Sequence, residues 1–247
     1  MAKHIAVAGK GGTGKTTVAS FLVRYLIQKQ MGSILAVDAD PNSTLDEALG
    51  LKIEKTISSI LADAKKNNVP AGMTKDVFIQ LELHQSLVET ENFDLLVMGG
   101  PQGPGCYCFP THILKRHIGM LDKNYDYMVI DNEAGMEHIS REVIENVDIM
   151  LIISDASAKG VRTAGRIHEL AVALNINIGE AYLIITKLHD STPLQKDIDK
   201  TGLKLLGVIP WDPLVEEYDL TGKPLMDLPG DSPAVSAALQ MLASLRL

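Results

Sequence analysis

The sequence predicts an α/β fold: a doubly wound, mainly parallel sheet with helices on both faces. Three observations carry this expectation. Short apolar runs alternate with segments of helical periodicity along the chain, the pattern of repeated strand–helix units. Several of those runs end in carboxylates or glycines, as strands do where a parallel sheet presents its carboxyl ends to a ligand. The chain has 247 residues, enough for one large core, and no Ser/Gly-rich or charge-run spacer or internal repeat divides it. Residues 1–247 are therefore expected to form one domain with right-handed crossovers.

The first element is the apolar run Ile5-Ala6-Val7-Ala8, read as a strand. It empties into Gly9-Lys10-Gly11-Gly12-Thr13-Gly14-Lys15-Thr16-Thr17, and a helix follows from Thr16 to Met31, with Val18, Phe21, Leu22, Tyr25 and Leu26 at helical spacing. A glycine-rich turn between strand and helix is a P-loop, and its backbone N–H groups and the helix dipole cradle a polyphosphate. Lys15 is expected to reach the β- and γ-phosphates, and the Thr16 hydroxyl to hold Mg²⁺.

Ile34 to Val37 reads as the second strand, ending in Asp38-Ala39-Asp40 ahead of a short helix over 44–49. Both acids should face the P-loop crevice, Asp38 suited to orient a Mg²⁺-bound water and Asp40 to position the attacking water. Residues 51–92 are more polar and irregular, with helices expected over 57–66 and 75–85. Phe93 to Met98 reads as a buried strand, followed by a Gly/Pro-rich surface loop through Pro110 that contains Cys106 and Cys108, and then a helix over 111–121. His112 and His117 fall on different turns of that helix and read as ordinary surface histidines. The strand over 125–131 ends in Asp131, the acid of a Walker B element. Gly135 beyond it would let a backbone N–H approach a γ-phosphate.

Further strands are expected over 147–153, 181–186 and 205–209. A helix over 160–174 lies between the first two, and a carboxyl-terminal helix runs from Ser232-Pro233 to Leu245. That last helix carries one Arg and no Lys, so it reads as packed on the sheet rather than as a membrane anchor.

Composition narrows the function classes. Asp and Glu number 31 against 23 Lys and Arg, a net charge of −8, which argues against binding to nucleic acid or anionic lipid. No apolar run approaches the roughly 20 residues of a membrane span, and Met1 to His4 run straight into the first strand, so a cytoplasmic location is expected. The two cysteines form no disulfide framework.

Lys10, within Lys-Gly-Gly-Thr-Gly-Lys-Thr-Thr, resembles the second, signature lysine of the deviant Walker A ATPases. That class includes the nitrogenase iron protein and the MinD and ParA positioning ATPases, and the resemblance runs over almost the whole chain. Within it, Gly103-Pro104-Gly105-Cys106-Tyr107-Cys108 together with Asp131-Asn132-Glu133-Ala134-Gly135-Met136-Glu137-His138 is similar to the CooC type, the nickel-insertion ATPases that mature carbon monoxide dehydrogenase. The resemblance implies ATP and ADP as nucleotides, with Mg²⁺ served by Asp38 and Asp131 and water handled by Asp40. It also implies a homodimer in which Lys10 reaches the partner's nucleotide and Cys106 and Cys108 bind metal. Base recognition would fall to Thr186-Lys187, where many relatives have Asn before the basic residue, and to the loop Pro210-Trp211-Asp212.

Ligand counting agrees with a shared metal. Two thiols cannot fill a tetrahedral or square-planar site, whereas a twofold dimer brings four thiolates to its axis. Ni²⁺, or Zn²⁺ at the same site, is the expected ion, and the client is expected to be carbon monoxide dehydrogenase or acetyl-CoA synthase. Two other functions remain open: an iron–sulfur electron donor like the nitrogenase iron protein, and a positioning ATPase. The spacing of both cysteines in one Cys-x-Cys favours the metallochaperone over the first, and the acidic balance disfavours the second.

Overall fold

A computed structural model describes residues 1–66, 68–100, 108–134, 146–188 and 194–247. Eight strands form a single sheet: β1 (Lys3–Gly9), β2 (Ile34–Ala39), β3 (Val88–Glu89), β4 (Asp94–Val97), β5 (Tyr127–Asn132), β6 (Asn146–Asp155), β7 (Asn177–Thr186) and β8 (Lys204–Ile209). Their order is β3-β4-β2-β5-β1-β6-β7-β8, and only β3 runs antiparallel to its neighbour. β1 lies between β5 and β6. The chain leaves β1 toward the β2 side of the sheet and later crosses to the β6 side, so the carboxyl end of β1 sits at a topological switch point where a crevice opens.

Alternate side chains of the central strands feed two cores. Ala6 and Ala8 of β1, Leu35 and Val37 of β2 and Met128 and Ile130 of β5 face one way. They pack under helices α3 (Ile57–Lys65), α4 (Lys75–Gln85), α5 (Cys108–Leu121), α6 (Ala158–Ala173) and α7 (Gln195–Thr201). Ile5 and Val7, Ile34 and Ala36, and Val129 face the other way. There they meet α1 (Lys15–Gln28), α2 (Leu45–Leu49) and α9 (Pro233–Leu242). Each strand thus buries both faces, which is why these runs are continuously apolar rather than alternating.

Several boundaries differ from the sequence reading, each for an identifiable reason. Helix α5 begins at Cys108, whereas Pro110 was expected to hold the loop open to residue 110. Proline is tolerated in a first helical turn, where its missing N–H has no intrahelical acceptor anyway. β7 starts at Asn177, inside the polar stretch read as a helix end, because backbone pairing with β6 over Asn146 to Asp155 does not require apolar side chains. Two helices lay unread: α7, and α8 (Pro213–Thr221). Asp212 caps α8 and Pro213 opens it, a start signal that is present in the sequence. The two-residue β3, within the stretch read as irregular, is too short to show a period.

Candidate functional site

The P-loop occupies the turn from β1 into α1. Gly14 is the residue before the helix and adopts a left-handed conformation, φ 85°, and Gly12 is also left-handed at φ 77°. These conformations favour glycine, and they let the loop turn its N–H groups inward. Thr13 closes the turn, its N–H and hydroxyl both donating to the Lys10 carbonyl, at 3.3 and 2.8 Å. Lys15 is buried at the base of the helix, while the Lys10 side chain is exposed.

Asp38 and Asp131 are register partners at the carboxyl ends of β2 and β5, and both are buried. Asp131 Oδ2 accepts a hydrogen bond from the Thr16 hydroxyl at 2.6 Å, and that hydroxyl also lies 3.3 Å from Thr44 Oγ1. Asp131 Oδ1 is buried with no hydrogen-bond partner. Burial pushes the Asp131 carboxyl up to about 6, against the pull of the Thr16 hydroxyl and Lys15 and with a further push from Asp40. Asp38 is pushed up to about 7, chiefly by burial and then by Asp131 and Asp40, against the N–H donors of Leu45 and Asp40. Those donors reach its two carboxylate oxygens at 3.0 Å each, so Asp38 also shapes the loop that carries Asp40. Asp40 is partly exposed, and Oδ1 accepts from the Asn42 N–H at 2.8 Å.

The fit for Mg²⁺ rests on that orphaned oxygen. Mg²⁺ takes one or two carboxylates, substrate phosphates and retained waters rather than a full protein cage. A buried carboxylate oxygen without a donor, beside a hydroxyl, suits it. Among the described residues no group of three or more His, Cys, Asp or Glu side chains could enclose a metal ion, so phosphate and water would have to complete the shell.

A cleft of about 680 Å³ runs from the P-loop to the far end of β8. Its phosphate end is lined by Gly11, Gly12, Gly14, Lys15, Thr16 and Thr17, with Asp40 and Ala134 at its side. Its other end is lined by Thr186, Lys187, Pro210, Trp211 and Asp212, together with Val215, Tyr218 and Asp219 of α8. Trp211 is 44% exposed. The α8 residues, with Gly222, Lys223 and Leu225 beyond them, also line the cleft and are not singled out by the sequence; the Asp212-Pro213 start signal could have found the helix.

Two residues expected to read a base have structural bonds as well. The Thr186 hydroxyl lies 2.8 Å from the Thr13 carbonyl and 3.1 Å from that of Ser154, tying the P-loop to the ends of β6 and β7. Lys187 follows in a left-handed conformation, φ 58°. The Asp212 carboxylate accepts from Leu214 N–H at 2.9 Å, from the Ser232 hydroxyl at 2.5 Å and from Ala234 N–H at 3.1 Å. Burial raises its affinity for a proton, but these three donors outweigh it and leave the carboxyl below its ordinary value.

Cys106 and Gly135 lie outside the described residues, as does the side chain of Cys108. His112 is exposed, as a surface histidine should be. His117 is not a surface residue: it is 1% exposed, and burial, with a smaller push from His84, holds it down at about 4. It falls on the face of α5 that also buries Leu114, Ile118 and Leu121, and the i, i+3, i+4, i+7 spacing of these four positions within the expected helix is the signal that could have found it.

Residues 4–225 match the model of the CobQ/CobB/MinD/ParA nucleotide-binding domain. The chain belongs to that family. It is 44% identical over 231 residues to an uncharacterised ATP-binding protein of Methanocaldococcus jannaschii, covering 91% of each chain. It is 32% identical over 240 residues to the carbon monoxide dehydrogenase accessory protein CooC of Rhodospirillum rubrum, covering 91% of this chain and 89% of that one. The crystal structure of a ParA family ATPase from Chlorobium tepidum superposes with a TM-score of 0.76, at 21% identity, over 99% of this chain and all of that chain. For the CobQ/CobB/MinD/ParA fold, the cleft at the switch point is thus the nucleotide end of the sheet. Among the described residues no helix is long and apolar enough to cross a membrane.

Proposed function

We propose that residues 1–247 form one Mg²⁺-dependent ATPase domain. Its cycle would drive nickel delivery to a nickel enzyme, carbon monoxide dehydrogenase or acetyl-CoA synthase. The observation that carries the ATPase reading is the cleft itself, with the P-loop at one end and the unpartnered Asp131 oxygen beside Thr16. The delivery reading is supported by the likeness to CooC over nine-tenths of the chain and by the Cys106–Cys108 spacing.

In this reading the N–H groups of Gly11 to Thr17 and the Lys15 ammonium bind the β- and γ-phosphates of ATP. Thr16 and Asp131 would hold Mg²⁺, with Asp38 behind them; when bound, the ion neutralises charge on the β- and γ-oxygens. Asp40 orients a water for attack on the γ-phosphorus, and the bond to the ADP oxygen breaks as the new P–O bond forms. Lys10 acts on the nucleotide of a second copy. Thr186, Lys187 and the Pro210–Asp212 loop flank the base.

A homodimer would bring Cys106 and Cys108 of both copies to the twofold axis as a four-thiolate nickel site that also accepts zinc, opened and closed by the γ-phosphate. The test is metal analysis and a visible spectrum on anaerobically purified protein, with molecular mass followed during nickel titration. One nickel per dimer, lost in Cys106→Ser and Cys108→Ser, is expected. A brown iron–sulfur chromophore would instead mark an electron donor. One metal per monomer, or undiminished binding without the cysteines, would overturn the shared site.

A further inference from the structure

Helix α5 begins at Cys108 and carries another side chain of metal-ligating character, His117, nine residues further on. His117 is 1% exposed, and neither of its ring nitrogens has a hydrogen-bond partner. A buried imidazole with both nitrogens unsatisfied is costly, because its one donor and its one acceptor have both lost water without replacement. The group nearest in kind is His84 of α4, exposed to solvent. The centres of the two rings lie 5.8 Å apart, with 77° between their planes.

We propose that His84 and His117 form a binding site for a borderline divalent cation such as Ni²⁺, Zn²⁺ or Cu²⁺, distinct from the cysteine pair and from the nucleotide cleft. The separation is the one such a site needs. An imidazole nitrogen binds zinc at about 2.0–2.1 Å, and the ring centre lies about 1.2 Å beyond it, so two imidazoles on one ion have centres between about 5 and about 6.4 Å apart. Each ring can turn about its own metal–nitrogen bond, so the angle between the planes is no obstacle. Imidazole nitrogens favour these ions over Mg²⁺ or Ca²⁺. The solvent-facing His84 supplies an entry path, and the buried His117 supplies a nitrogen that gains a partner on binding.

Among the described residues no third His, Cys, Asp or Glu completes the group, and Glu82 on α4 is already paired with Lys55. The ion would therefore keep open positions for water or an incoming ligand, as in metal sites that exchange ligands.

The experiment uses the full chain carrying Cys106→Ser and Cys108→Ser, so that thiolates do not compete, titrated with Zn²⁺ or Ni²⁺ by calorimetry. One ion per chain is expected. Adding His84→Ala, a surface change that leaves the core intact, should weaken binding by about tenfold or more, and His117→Gln should do likewise. His112→Ala should leave binding unchanged. No uptake by the cysteine-free protein, binding that survives His84→Ala, or loss on His112→Ala alone would overturn the site. These outcomes do not depend on the nucleotide reaction or the cysteine site, which are tested on other variants.

Discussion

At the scale of single residues, the proposed reaction depends on two buried carboxyls, Asp38 and Asp131, and on the P-loop and Asp40 beside them. Lys15→Ala and Asp131→Ala should abolish ATP hydrolysis, measured as phosphate release. Asp40→Asn should still bind ATP while turning over roughly 10²–10³-fold more slowly, since a positioning group acts mainly in the transition state. An unchanged rate would remove Asp40 from that role. The raised carboxyls also make a prediction about pH. Asp38 and Asp131 bind protons more readily folded than unfolded, where their value is 3.8. Their stabilising contribution is therefore full below that value and is lost as pH rises toward about 6 for Asp131 and about 7 for Asp38. Thermal unfolding of nucleotide-free, Mg²⁺-free protein should show a melting temperature that falls over this range, and Asp131→Asn should flatten the slope. Thr186→Val offers a separate check on the P-loop tie. It removes the one hydroxyl beside two buried carbonyls and should cost about 1–3 kcal/mol, weakening nucleotide binding as well as stability.

At the scale of elements, helix starts and helix faces matter most. Asp212 serves α8 through Leu214 N–H and α9 through Ala234 N–H, so one carboxylate fixes two helices against the β8 end of the cleft. Asp212→Ala should cost about 2 kcal/mol or more, a fall in melting temperature of roughly 4–8 °C for a chain of this size. If differential scanning calorimetry shows no change, the shared cap is not a significant support. On α5 the sign of the pH effect is reversed. His117 is held at about 4 against an ordinary 6.5, so the stability tied to its neutral form is complete above 6.5 and is lost as pH falls toward 4. With chelator present, His117→Met should lessen the loss of stability between pH 6.5 and 4 relative to the parent.

At the scale of the whole molecule, the sheet gathers the P-loop, Asp38, Asp40 and Asp131 at the carboxyl ends of its central strands, while Lys10 is exposed to solvent. In the proposed dimer, that exposure would leave the Lys10 ammonium available to the nucleotide of the other copy. Lys10→Ala should leave nucleotide binding by the monomer largely intact and weaken ATP-induced dimerisation and hydrolysis. Mixing Lys10→Ala with Asp40→Ala protein should restore activity above that of either parent, because one of the two sites in the mixed dimer is then intact. A mixture no more active than its parents would argue for a lysine that works within its own chain.

The sequence by itself determined the layered α/β fold and the phosphate end of the cleft. Both are written in local terms: continuous apolar runs for strands buried on both faces, glycines where the backbone turns left-handed, and acids directly after strands. What lay outside its reach depends on partners far along the chain. That the Thr186 hydroxyl also ties down the P-loop, 2.8 Å from the carbonyl of Thr13 and 173 positions away, is one such case. His117 looks like a surface histidine until the face it shares with Leu114, Ile118 and Leu121 is found buried. The unpaired oxygen of Asp131, the register that sets it beside Asp38, and the packing of His84 on His117 are likewise products of tertiary assembly. Burial and distance, which fix charge states and unsatisfied donors, exist only once separate segments have been brought together.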